Sequence, residues 1–348
     1  MRRCAWLSLL MLVGAHAQEP ASVQPAVELG TVAVTGTQPG PGLWKVSKGD
    51  HVLWILGTVS PLPRDIQWRS HDVEALIAGS AQVLTSPQVE ISADAGFFGT
   101  LALLPSLIGI RNNPDGKRLE DVVSPELYTR WVALKRRYMG HSNRVEKWRP
   151  IFAALALYDY AMDGKRLTGS GYVQEKVLKT AKRAHIAVMT PSVKLTIDHP
   201  RDAIKQFKSE SIQDTECFEK TIDRIDADIV TMTTRANAWA TGDIAALRAL
   251  PQSDQRAVCA AAISETGIAR NRGMTDVFAR VEHAWLDAAQ AALQTNRSTF
   301  AMVPARNLLA ADGYLAALKA SGYVIEAPAE DAEDAAVGGE SEHSAPRN

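Results

Sequence analysis

Neither sign of charge dominates this chain. Its 38 lysines and arginines nearly cancel its 39 aspartates and glutamates, leaving a formal net charge of -1. The basic excess that a nucleic-acid partner demands is therefore missing, and no nucleic-acid partner is expected. Long hydrophobic runs are missing as well. The first one, Ala5–Val13, is well short of the roughly 20 residues that span a bilayer, and Pro105 and Gly109 interrupt "AGFFGTLALLPSLIGIRNNPDG" at 95–116. No transmembrane segment is expected in the mature chain. Cysteine is scarce, with three in the whole sequence. Metal-ligand spacing is absent too: no His-x-x-x-His pair occurs, and His51, His141, His185, His199 and His283 read as structural or solvated residues.

What is present is an ordinary globular composition, 46% hydrophobic and 22% charged over 348 residues. A sizeable core is affordable, in one large domain or two of about 100–200 residues each. Arg2 and Arg3 precede the first apolar run, and Ala15-His16-Ala17 has the small-x-small pattern of a secretory cleavage site. Residues 1–17 are expected to be a signal peptide, and the mature protein to be exported, periplasmic or secreted. Removing Cys4 with that segment leaves Cys217 and Cys259, which an oxidising compartment would join. Their separation, 259 − 217 = 42 residues, gives a loop whose closure contributes about 4 kcal/mol on the chain-entropy account. Two separate buried thiols are the alternative.

Residues 18–40 form a leader rich in Pro, Gly, Thr and Val, in which Thr31–Thr35 has the β-branched content of a short edge strand. From Leu43, "LWKVSKGDHVLWILGTV" alternates around Gly49-Asp50, the pattern of a hairpin. A proline-rich loop, a helix over 70–79 and a strand over 82–85 follow. The other end repeats this order, with a strand over 299–303, a turn at 304–307, a helix over 312–321 and a strand over 322–325. The repetition suggests an internal duplication that brings the two loops together near a pseudo-two-fold axis.

Between these units the pattern is helical. Ser124-Pro125-Glu126 is a start signal ahead of "LYTRWVALKRRYMG", and "RPIFAALALYDYAM" predicts another helix. Phe218, Ile222, Ile225, Ile229, Met232, Ala236 and Trp239 recur at spacings of three and four before Gly242, the buried face of one long helix. The apolar stretch 95–116 reads as a core helix, with a mobile hydrophobic lid as the alternative. The tail 328–348 has six acids and one arginine, a composition expected to be disordered.

Four separated stretches carry a resemblance: "GLWKVSKGDHVLWILGTVSPLPRDIQWRS", "KWRPIFAALAL", "ARNRGM" and "VPARNLLAADGYLAALKASGYVIE". In this order, over residues 41–327, they resemble the TraB/GumN family of exported and membrane proteins. That family is related to the TIKI metalloproteases and, more distantly, to ChaN-like haem-binding proteins and erythromycin esterases. The resemblance implies an α+β fold of two small mixed β-sheets related by a pseudo-two-fold, flanked by helices, with a largely helical middle region. It also implies two Gly-x-x-His motifs facing one cleft, completed by a glutamate after the second strand of the first unit and by an Arg-Asn pair. Imidazoles would hold a divalent metal there, and the carboxylate would serve as ligand or as base for a metal-bound water.

This sequence departs from that pattern. Gly57 stands, but Ser60 occupies the first histidine position, and the second motif reads Pro304-Ala305-Arg306-Asn307. The glutamate position falls at Thr85 or Ser86, and only Arg270 and Asn271 remain as the family has them. Hydroxyl and amide oxygens are poor ligands for zinc-like metals, so no cofactor is expected. The expectation is a non-catalytic pseudoenzyme whose cleft, lined by Gly57, Ser60, Thr85, Ser86, Arg270, Asn271 and Asn307, binds a small molecule, a peptide or an envelope protein. The alternative is a surviving hydrolase or metalloprotease-like enzyme with a divalent metal on re-sited ligands, His71 and Glu90. Ser60 as a nucleophile would need a base and a Gly-x-Ser-x-Gly elbow that the sequence does not offer.

Overall fold

The computed structural model describes residues 40–94, 96–168, 171–250, 255–272 and 274–328. The expected signal segment, the leader strand at Thr31–Thr35 and the tail beyond Pro328 lie outside the described residues.

Apolar alternation on either side of Gly49 folds the first hairpin, β1 (Leu43–Lys48) against β2 (His51–Thr58), antiparallel from Leu43↔Leu56 to Lys48↔His51. Gly49 turns the chain at φ 63°, a conformation glycine enters without steric cost. After β3 (Leu62–Pro63) come α1 (His71–Ala78) and β4 (Gln82–Leu84), close to the helix and strand expected. The middle of the chain holds β5 (Gln88–Ala93), α2 (Gly96–Leu103), α3 (Pro125–Tyr138), α4 (Pro150–Gly164), β6 (Leu167–Thr168) and α5 (Gly171–Arg183). It continues through β7 (Ala187–Met189), β8 (Ser192–Ile197), α6 (Pro200–Ser209), α7 (Thr215–Thr241) and α8 (Ile244–Ala249). The last third comprises α9 (Gln255–Ser264), α10 (Gly267–Asn271), α11 (Val277–Thr295), β9 (Ser298–Pro304), α12 (Ala305–Leu309), α13 (Tyr314–Ala320) and β10 (Val324–Glu326).

The mixed α+β class expected from the sequence is the one found. Strands from both terminal units join in one six-stranded sheet, ordered β10-β1-β2-β9-β4-β7, beside two-stranded sheets β3-β6 and β5-β8. Both faces of the large sheet are covered. Leu53 and Ile55 of β2 with Ala301 and Val303 of β9 pack on Trp285 of α11, Leu308 of α12 and Tyr314 of α13. On the other face Leu56, Phe300 and Met302 meet Val73 and Ile77 of α1, Val177 of α5 and Trp239 of α7. Burial on two sides explains why these strands read as continuous apolar runs.

A second core is purely helical. Trp131 of α3, Leu157 of α4 and Phe218, Ile222 and Ile225 of α7 fill it, with the Trp131 and Phe218 rings 5.4 Å apart. The Ser124 hydroxyl accepts from the Leu127 N–H at 3.2 Å and caps α3 as the start signal requires. The 27 residues of α7 extend about 40 Å, long enough to share one helix between the helical core and the sheet.

Two expectations are corrected. Residues 304–307 are not a turn, because β9 runs through Pro304 and α12 begins at Ala305. Pro304 stands at the N-cap of that helix, where its missing N–H leaves no helical bond unmade. Nor is the stretch 95–116 a core helix. Among its described apolar side chains only Leu103 is buried, while Leu101, Leu104, Leu107 and Ile108 are exposed, Ile108 to 77%. The segment packs chiefly on its own following turn, Leu104–Leu107, which rests on α6, so too little protein covers it.

Candidate functional site

Strand order builds the site. β9 lies between β2 and β4 and is parallel to both, with Gly57 opposite Val303, Thr58 opposite Pro304 and Leu84 opposite Ala301. All three strands end on the same side of the sheet, and the crevice beyond the carboxyl ends of parallel strands is the usual place for a ligand in such a fold. A cavity of about 610 Å³ opens there, and Ser60, Ser86 and Asn307 all line it. The loop after β2, the loop after β4 and the first turn of α12 thus converge, as the duplication requires.

Packing around these residues is specific. At Gly57 an added Cβ would sit 3.2 Å from the Ala305 Cβ and 3.4 Å from the Leu308 Cδ1, so glycine lets α12 lie against the end of β2. The Gly57 carbonyl accepts from the Trp239 Nε1–H at 2.7 Å, tying α7 to the same point. Gly57 therefore supports the cavity wall without lining it. Ser86 lines the cavity and donates its Oγ–H to the Met302 carbonyl at 3.2 Å. Thr85 is buried behind it, donating to the Thr190 Oγ1 at 2.9 Å. Asn307 is hydrogen-bonded with the Tyr314 hydroxyl. A Cβ on Gly313 would lie 2.1 Å from the Asn307 carbonyl oxygen, so glycine there keeps Asn307 in place.

The other expected site residues are elsewhere. Arg270 and Asn271 are exposed on α10 and do not line the cavity; the Arg270 guanidinium donates to the Glu265 carbonyl at 2.5 Å, closing its own helix-connecting turn. The neighbouring Arg272 donates to the Asp198 carbonyl at 2.6 Å. His71 begins α1 with its side chain 87% exposed beside Asp72. Glu90 is exposed on β5, in register with Lys194 of β8. Neither lines the cavity, so those two do not re-site a metal there.

The polar wall that sequence reading missed belongs to α7. Arg224, Asp228, Thr231 and Arg235 recur at spacings of four, three and four, each one residue before a member of the apolar stripe and so on the face beside it, and all four line the cavity. Asp228 is buried between two guanidiniums. Its Oδ2 accepts from the Arg224 Nε at 2.8 Å and from the Tyr158 hydroxyl at 2.7 Å, and its Oδ1 pairs with the Arg235 Nη2 at 3.0 Å. Arg235 also donates to the Thr231 Oγ1 at 3.2 Å. Burial, then the Asp228 charge, pushes the Tyr158 hydroxyl up to about 12. Burial works against the charge of Arg224, but Tyr158 and Asp228 outweigh it and hold its pKa above the ordinary arginine value. Tyr314 is likewise pushed up to about 12, by burial and then by Glu282, with Asn307 opposing.

The family positions carry two hydroxyls and an amide, and among the described residues no three His, Cys, Asp or Glu side chains gather into a group able to hold an ion. Cys217 and Cys259 are bonded to each other, with Cα atoms 4.6 Å apart, joining the start of α7 to α9 away from the cavity. No helix among the described residues is long and apolar enough to cross a membrane. In comparison with known proteins, the model of the TraB/PrgY/gumN family matches residues 42–327. No curated protein and no solved structure matches the chain.

Proposed function

The chain belongs to the TraB/PrgY/gumN family, and from that premise we propose that it is an exported member in which a metal-hydrolase cleft has become a metal-free binding site. One observation carries this reading. Ser60, Ser86 and Asn307, the positions where the family resemblance expects imidazole, carboxylate and imidazole, face the same cavity as neutral groups. Losing even a single outer-sphere partner weakens metal binding about 10–100-fold, and here the directly ligating groups themselves are replaced. The cavity volume of about 610 Å³ suits a small molecule or the end of a peptide, since ligand pockets run to about 300–1,000 Å³. Its arginine-rich wall is built to hold a polar group rather than to generate a nucleophile.

Elemental analysis of the mature protein, loaded with excess zinc or manganese and then desalted, tests this. The expected result is far less than stoichiometric metal in a folded protein. Stoichiometric metal retained at the cavity would reverse the reading.

A further inference from the structure

Resting on the reading of the cavity as a binding site, we propose that its ligand carries a primary ammonium group on an apolar body, received by Glu282 and Phe278 of α11. Glu282 is the charge in the cavity wall that the protein leaves unanswered. Arg224 and Arg235 are both paired with Asp228, whose carboxylate also accepts from the Tyr158 hydroxyl, and Arg306 has a partner too. Glu282 lines the cavity half-buried, and among the described residues it has no ion pair and no hydrogen bond. Its charge still reaches into the wall, where burial and then Glu282 push the Tyr314 hydroxyl up to about 12. A carboxylate partly withdrawn from water without a counter-ion is costly, and an incoming cation removes that cost.

Helix geometry sets an aromatic ring beside that carboxylate. Phe278 precedes Glu282 by four residues, which puts the two side chains on one face a turn apart, and both line the cavity with Val281. The same stripe continues to Trp285, buried in the core against the sheet, so packing fixes the rotation of α11 that turns Phe278 and Glu282 toward the cavity. Phe278 is 51% exposed, and the face of an aromatic ring attracts a cation lying within about 6 Å. An ammonium has three N–H donors. Glu282 accepts one, and Ser60 and Gln174, cavity residues whose side chains bond to no described protein group, offer neutral oxygens to the others. Val59, Val89 and Leu250 line the same space, so the body that follows the ammonium is apolar. Two sources share this chemistry, the free amino terminus of an apolar peptide and a small alkylamine.

The test is isothermal titration of mature, disulfide-bonded protein with leucyl-phenylalanine amide and with hexylamine. The N-acetylated peptide amide, hexanol and hexanoate serve as comparisons. At least one amine is expected to bind, and its uncharged counterpart to bind about tenfold more weakly or worse, the worth of a charged hydrogen bond. Glu282→Gln should lose about as much at an unchanged melting temperature, because the carboxylate it replaces holds no protein group. Phe278→Leu keeps apolar bulk without the ring and should bind roughly threefold more weakly. Which amine binds identifies the source. Failure of both amines, equal binding of the neutral counterparts, preference for hexanoate, or unchanged affinity in Glu282→Gln would each overturn the proposal. So would a lowered melting temperature in that variant, which would show that Glu282 already serves a protein cation. Metal content measured on the same sample separates the two claims: retained zinc defeats the metal-free reading, whereas absent amine binding to metal-free protein defeats this inference alone.

Discussion

At the scale of single residues, the cavity depends on what is small as much as on what is charged. Gly57→Ala would push a methyl to within 3.2 Å of the Ala305 Cβ, and overpacking of this kind costs about 1–3 kcal/mol. A lowered urea midpoint with an unchanged slope is the expected outcome; Gly49→Ala, with no atom within 4 Å of the added carbon, should cost about 1–2 kcal/mol through its left-handed backbone alone. Asp228→Asn should be more damaging, about 3 kcal/mol, because it removes the counter-charge from two largely buried guanidiniums. Chemical denaturation of that variant, compared with Asp72→Asn at an exposed pair, checks whether burial sets the difference. Ser60 and Asn307 were legible as cavity residues because each directly follows a strand that the repeated pattern marks out. Arg270 and Asn271 were placed by motif order alone, and order along a chain does not determine which side of a helix faces a cavity.

Among the elements, α7 ties the molecule together. Its apolar stripe was plain in the sequence, and so were the Gly49 hairpin and the Ser124 cap, because local spacing and turn chemistry determine all three. The polar stripe 224, 228, 231, 235 stood at the same helical spacing. Charges at that spacing look alike whether they face water or a cavity, and only the packing of α4 and the sheet around α7 distinguishes the two. The exposed Leu101, Leu104, Leu107 and Ile108 show the converse, since apolar composition implies burial only where another element supplies the cover.

The contact between α4 and α7 through Tyr158 also sets a pH response. Tyr158 and Tyr314 ionise near 10 when unfolded and only near 12 when folded, so between those values the folded state binds more protons than the unfolded one. Stability from this source is complete below pH 10 and is lost as pH climbs through about 12. Denaturation midpoints followed across this range should fall, and Tyr158→Phe should make the decline shallower. The disulfide between α7 and α9 is a separate brace. Replacing Cys217 and Cys259 together by serine should lower stability by about 4 kcal/mol, judged from the 42-residue loop, which chemical denaturation of the double variant measures.

For the molecule as a whole, the decisive fact is that β9 from the C-terminal unit inserts between β2 and β4 from the N-terminal one. Three parallel strand ends then deliver Ser60, Ser86 and Asn307 to one space. That two distant segments meet was readable from their shared strand-to-helix order. That they meet within a single sheet was not, because strand order depends on long-range pairing that no local pattern records. The scaffold thus aims three positions at one point. Zinc affinity of the Ser60→His, Ser86→Glu, Asn307→His triple variant, measured beside the parent protein, tests it most directly. A tight, stoichiometric zinc site is expected in the variant and only weak binding in the parent; tight zinc binding by the parent, or none by a folded triple variant, would contradict this reading of the cavity.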